Sequence, residues 1–153
     1  FLPRQYLDKL FMLASALALL CAGAWLGAIV FQSALVAPAI FGELDAAAAR
    51  RVLRRLFPRF FSLGIVLIGV ALAAVAVAPI APGVRSTSAA TLAMMLLAIG
   101  LSLALIPAIN AASDAGNASR FRILHGASVL LTLATLVGAI GVVVILTLSI
   151  GAA

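Results

Sequence analysis

Four long apolar runs, at about 10–31, 60–80, 89–111 and 123–148, are separated by short polar clusters. A bilayer core of roughly 30 Å needs about 20 helical residues to cross it, and each run meets that length. None shows the apolar/polar alternation of a barrel strand, and all are rich in Ala and Leu. Lipid offers no water to an open backbone N–H or C=O, so helices are the remaining way to span. The pattern predicts an all-α integral membrane fold: a four-transmembrane-helix antiparallel bundle forming a single domain over residues 1–153.

The stretch between the first two runs has its own period. At about 100° per residue, Arg50, Arg51, Arg54, Arg55 and Arg59 occupy one half of a helix, and Val52, Leu53, Leu56, Phe57 and Phe60 the other. That predicts one cytoplasmic interfacial amphipathic helix over about 45–58, lying among the lipid headgroups. Asp45, ahead of an alanine run, suits its N-cap. Pro58 lacks an N–H and suits the bend into the second span.

Composition sharpens this picture. The chain is 66% hydrophobic and 9% charged, with a mean hydropathy of +1.33, and lacks the polar exterior of a soluble domain. A net charge of +6 would also suit a nucleic-acid binder. The basic residues flank the spans, however, and form no aromatic-interleaved module, so nucleic acid is not an expected partner. With four spans both termini share a side, which carries Arg4, Lys9 and Arg85. The opposite side carries Arg50, Arg51, Arg54, Arg55, Arg59, Arg120 and Arg122. The positive-inside rule then predicts cytoplasmic first and third loops and both termini outside, in a bacterial inner (cytoplasmic) membrane. The five clustered arginines serve as a topology anchor or as a surface for anionic lipid headgroups or an acidic partner, at about 1 kcal/mol per arginine near the membrane.

The first run imitates a signal peptide, with Ala22-Gly23-Ala24 as a cleavage-like triplet. It continues to Phe31, and Leu20 is too large for a lipoprotein cleavage site before Cys21, so a true span is expected. A single cysteine excludes an internal disulfide framework.

Helices in lipid associate through close approach at small residues. Gly23 and Gly27, Gly69 and Ala73, and Ala134 and Gly138 are the candidate packing pairs, within this bundle or against another protein. Trp25, deep in its span, is expected to pack between helices. Tyr6, Phe57, Phe60, Phe61 and Phe121 fall where interfacial aromatics are expected.

Candidate chemistry is sparse. Span interiors carry no Asp, Glu, Lys or Arg, which disfavours charge-moving transport. His125 stands at the arginine-bearing side, whereas Met94 and Met95 begin the third run about 25 Å away by helical rise, so they cannot share an ion. Met12, Met94 and Met95 could meet as a soft copper site or serve as packing. Ser128 follows His125 by three residues, but no carboxylate on that helix would orient the ring; Asp114, in the adjoining loop, is the one in reach. No catalytic residue, metal site or cofactor is expected. Pro107, Asn110, Arg122, His125 and Ser128 gather around one short loop. They form either an interhelical clamp, in which Asn110 and His125 satisfy backbone groups freed by Pro107, or a polar vestibule for a small solute or a partner's loop.

At these positions the chain resembles a family. The segments "FQSALVAPAIF" (31–41), "LFPRFFSLG" (56–64), "IPAIN" (106–110) and "FRILHGAS" (121–128) are similar to those of the transmembrane protein 205-like family of small four-span proteins. Pro38, Phe57, Pro58, Pro107 and His125 match family-like positions. The residues before Asp114 lack the basic side chain common there, and Thr132 replaces a common asparagine. The resemblance implies a membrane role with links to metal-drug resistance. Three classes of function follow. The first expectation is a non-enzymatic accessory or scaffolding subunit that packs against other membrane-protein subunits or itself. The alternative is a small-solute or metal-drug export protein, and a metal or haem enzyme comes last.

Overall fold

A computed structural model describes residues 4–151. The chain runs as α1 (Arg4–Phe31), a π-helical segment (Gln32–Val36), α2 (Ala37–Glu43), α3 (Ala46–Val77), α4 (Pro82–Asp114) and α5 (Ala118–Gly151). Among the described residues, four stretches, Met12–Glu43, Ala46–Val77, Pro82–Asp114 and Ala118–Ser149, are long and apolar enough to cross a membrane. The protein is a small membrane protein of four spans, as its apolar runs require. α1, α3, α4 and α5 form a ring: α1 packs on α3, α3 on α4, α4 on α5, and α5 closes on α1, while the diagonal pairs stay apart.

Each spanning stretch holds 32 or 33 residues, about 48 Å at 1.5 Å per residue, some 18 Å more than the bilayer core. The sequence pattern under-measures them because their polar flanks remain helical. The segment expected as an interfacial helix over 45–58 is helical, yet it is the first part of α3, which continues through Pro58 into the span. Asp45 caps it as expected: its carboxylate accepts from the backbone N–H of Ala47 and of Ala48, both at 2.8 Å.

The connections are short. Pro82 occupies the first turn of α4, where its missing N–H costs nothing. Arg85 reaches back to donate to the carbonyl oxygens of Ala78 at 2.9 Å and Ile80 at 3.4 Å. α4 ends in a Schellman turn: Gly116 has φ +63°, its N–H meets Ser113 O, and Asn117 N–H meets Ala112 O. Asn117 then caps α5, its side-chain oxygen accepting from Arg120 N–H at 3.0 Å.

The core is layered along the bundle axis. Ile68, Val75, Leu92, Ile99, Val142 and Leu146 are fully buried, as is Trp25. Trp25 is thus between helices, as its position in the run implied. Its indole N–H donates to Thr135 Oγ1 at 3.3 Å, which ties α1 to α5. Its ring lies 4.9 Å from that of Phe60. The aromatic band therefore needs correcting: Phe60 and Phe61 are buried and stack edge to face at 5.3 Å. The helix angle between them and Phe57 turns all three toward the bundle. Tyr6 lies outside the side chains the structure describes.

Candidate functional site

The ring is filled below Trp25 and hollow above it. Toward the end that carries Arg50–Arg59 and Arg120–Arg122, the four walls enclose a cavity of about 420 Å³. The cause is local to the first span. After Phe31 the α-helix widens into the π segment, whose extra residue per turn shifts the helix face. Neither that segment nor α2 brings a Cα within 8 Å of α4 or α5, and α2 meets only the π segment before it and α3. Ser33, Ala37 and Phe41 on one side, and His125, Val129 and Leu133 on the other, nevertheless line the same cavity. The wall between α2 and α5 is consequently a gap.

The cavity is amphipathic along its length. Ile29, Phe60, Phe61, Ile106, Val129 and Leu133 supply the inner end. Arg50 and Arg54 stand at the outer end, and Gln32, Asn110, Ser113, His125, Ser128 and Thr132 add polar atoms between. No Asp or Glu is among the lining residues. The nearby carboxylate of Asp114 is occupied: it forms an ion pair with Arg54, binding the start of α3 to the end of α4. Arg50 has no ion pair among the described residues. Gln32 is 7% exposed, and its Nε2 has no acceptor among the described residues. A buried amide N–H without an acceptor costs free energy.

The polar cluster read from the sequence divides here. Asn110, His125 and Ser128 come together on the cavity wall, whereas Pro107 and Arg122 do not line it and are exposed. No hydrogen bond joins Asn110 to His125 or His125 to Ser128 among the described residues. His125 instead stacks on Phe121, one turn earlier, with ring centroids 5.4 Å apart and planes at 9°. The side chains of Asn110, His125 and Ser128 are thus each part of the cavity wall. Of the arginines, Arg50 and Arg54 reach the cavity; Arg51 and Arg55 are exposed, and Arg59 folds back onto the carbonyl of Arg55 at 2.8 Å.

The packing pairs also divide. A Cβ on Gly138 would meet Met95 at 3.0 Å, a close α4/α5 approach, but Gly23, Gly27 and Gly69 have nothing within 4 Å. Ala73 and Ala134 are exposed. The closest approach is at Gly64, which the sequence reading missed: its Cβ position is 2.6 Å from the Trp25 ring. The signal was Trp25 itself, since a large ring in mid-span needs a residue without a side chain opposite. Gln32 was also missed; it is a lone amide in an otherwise apolar turn, inside a segment noted only for its family likeness.

Met95 is buried and Met12 and Met94 are exposed, so adjacent methionines on α4 point apart. Among the described residues, no group of three or more His, Cys, Asp or Glu side chains gathers. Among the cavity's polar groups, the cationic ones are Arg50 and Arg54, and Arg50 has no ion pair among the described residues.

A family model described as "Domain of unknown function (DUF4149)" matches residues 20–118. The matched span includes Gln32, Arg50, Arg54 and Asn110, three of the four cavity walls, and ends before His125. No curated protein and no solved structure matches the chain.

Proposed function

The chain belongs to the DUF4149 family, and from that premise we propose that it is a non-enzymatic membrane protein that binds a small amphiphilic solute at the arginine-bearing end of its bundle. One observation carries the reading. The cavity of about 420 Å³ has the size of a small-molecule site and is blind, because the layer of Trp25, Phe60 and Thr135 seals the bundle beneath it. A blind pocket favours binding and presentation over conduction through the membrane. The absence of catalysis is supported by Asp114, whose pairing with Arg54 leaves His125 without a carboxylate to orient it.

The resemblance to the transmembrane protein 205-like family supports a solute-handling role, with export of a small solute or metal drug as its stronger form. Export would require the Trp25 layer to open. The excess of arginine at the cavity end supports a cytoplasmic location for it in a bacterial inner membrane, with the termini outside. Arg51 and Arg55, outside the cavity, are then free for anionic headgroups.

An accessory-subunit or homo-oligomer reading is favoured by a separate observation: Gly23 and Gly27 meet nothing in the bundle. Native mass spectrometry of gently solubilised protein tests both. A small molecule retained by the native chain and lost in Ser128→Phe supports solute binding. A larger assembly that dissociates in Gly23→Leu supports the subunit role. A bare monomer in every sample overturns both.

A further inference from the structure

The cavity's free groups point to the class of its ligand, and the argument rests on the solute-binding reading above. We infer that the site takes a single-chain anionic amphiphile, a carboxylate or phosphate ester with an apolar tail, and that it enters sideways from the bilayer through the gap between α2 and α5.

The head is argued from hydrogen-bond polarity. Among the described residues, Gln32 Nε2 is buried without an acceptor, and Arg50 at the mouth has no counter-ion. Arg50 offers donors alone and Gln32 Nε2 lacks an acceptor, so a partner with acceptor oxygens satisfies both. With no carboxylate in the lining, the local field is positive, which selects an anion over a zwitterion or a cation. Guanidinium and carboxylate or phosphate make charge-assisted bonds about twice as strong as neutral ones.

The tail is argued from the walls. Phe57, Phe60, Ile106 and Leu133 line the inner part of the cavity. In α5 the lining runs from Phe121 to Leu133, a depth of about 18 Å at 1.5 Å per residue. That admits a head and part of one chain. The route is argued from the gap. Val129 and Leu133, which line the cavity on its α5 side, are 42% and 48% exposed, as an opening toward lipid at the α2–α5 gap requires. A water-soluble anion would have no use for such an opening.

Trp25 supplies the test, being the sole tryptophan and 4.9 Å from the cavity residue Phe60. Bromine quenches indole at short range, so dibromostearate added to the full chain in a neutral detergent should quench Trp25 saturably. Palmitate and hexadecyl phosphate should relieve the quenching; hexadecyltrimethylammonium and inorganic phosphate should not. Arg50→Gln should weaken dibromostearate by roughly tenfold, the worth of one charge-assisted hydrogen bond. Ser128→Phe, which fills the pocket, should abolish saturation, and unchanged ligand-free emission in both variants reports an intact fold. If hexadecanol competes as well as palmitate and Ser128→Phe blocks both, the anionic assignment is overturned while the binding cavity stands. Competition by inorganic phosphate alone overturns the requirement for a chain. Quenching that never saturates, and is equal in the native chain and Ser128→Phe, overturns the cavity reading as well.

Discussion

Trp25 and Thr135, 110 residues apart, share a buried hydrogen bond from indole N–H to hydroxyl oxygen. The Thr135 hydroxyl in turn donates to the carbonyl oxygen of Thr132 at 2.8 Å, so the indole, the hydroxyl and the α5 backbone form one chain of donors and acceptors. It crosses the bundle where the cavity ends. Thr135→Val keeps the shape and removes the acceptor. Interhelical hydrogen bonds in membranes are worth about 0.6 kcal/mol on average and up to about 1.7. A fully buried indole N–H left unsatisfied belongs at the upper end, so a loss of about 1–2 kcal/mol is expected. Thr135→Ser should recover most of it. Reversible unfolding in mixed micelles, followed by Trp25 emission, measures both; equal stability of the Val and Ser variants would refute the assignment.

Gly64 and Gly69 separate two meanings of glycine in one helix. At Gly64 an added methyl would sit 2.6 Å from the Trp25 ring, and at Gly69 it would meet nothing. Trp25 is held by Phe60 and Thr135 and has little room to retreat. Gly64→Ala should therefore cost about 1–3 kcal/mol as an overpacked core position. Gly69→Ala should be neutral, or stabilising by up to about 1 kcal/mol from helix propensity. The same unfolding assay ranks them.

Asp45 holds two N–H groups at the start of α3. Asp45→Ala should cost about 1 kcal/mol, and the cost should be local. Hydrogen exchange at Ala47 and Ala48 is expected to speed up while residues below Pro58 keep their protection. Acceleration spread evenly along α3 would show that the cap acts on the whole span.

How much of this was legible in the sequence depends on what each feature needs. The four spans were, because an apolar run of about 20 residues has few alternatives in lipid. The Asp45 cap was, because it depends on one residue and its immediate successors. The continuity of α3 through Pro58 was not. A proline breaks one backbone bond, but within a packed helix bundle neighbouring groups compensate. The gathering of Asn110, His125 and Ser128 was legible as height along the bundle. Height does not give rotation about each helix axis, so a hydrogen bond was expected where the side chains line a void. The small-residue pairs divide for the same reason: in an alanine-rich helix the spacing recurs on every face, and of their glycines Gly138 falls on one that meets a neighbour inside the bundle. The π segment has no sequence signature, and two of its residues, Gln32 and Ser33, line the cavity.

The loops' sides can be read by labelling. Cys21 is buried, so a membrane-impermeant maleimide should report introduced cysteines alone. Ser86→Cys near the α3–α4 turn and Ser119→Cys at the start of α5 lie at opposite ends of the bundle and are exposed. In intact spheroplasts Ser86→Cys should be labelled and Ser119→Cys protected until the membrane is opened. The reverse pattern would invert the topology proposed from the arginines.

Asp114→Asn tests whether the Arg54–Asp114 pair limits the site's charge. The pair's side chains are 36% and 62% exposed, so solvent screens it and its loss should cost under about 1 kcal/mol. Its effect on binding should be larger than its effect on stability. Arg54 lines the cavity, and freeing it places a second unpaired guanidinium beside Arg50. Dibromostearate should then quench Trp25 at a several-fold lower concentration, and the gain should shrink as salt rises, since the mouth is open to solvent. Arg54→Gln in the same background should return the affinity to that of the native chain. An Asp114→Asn protein that binds no more tightly would mean that Arg54 is held away from the ligand by something other than its partner.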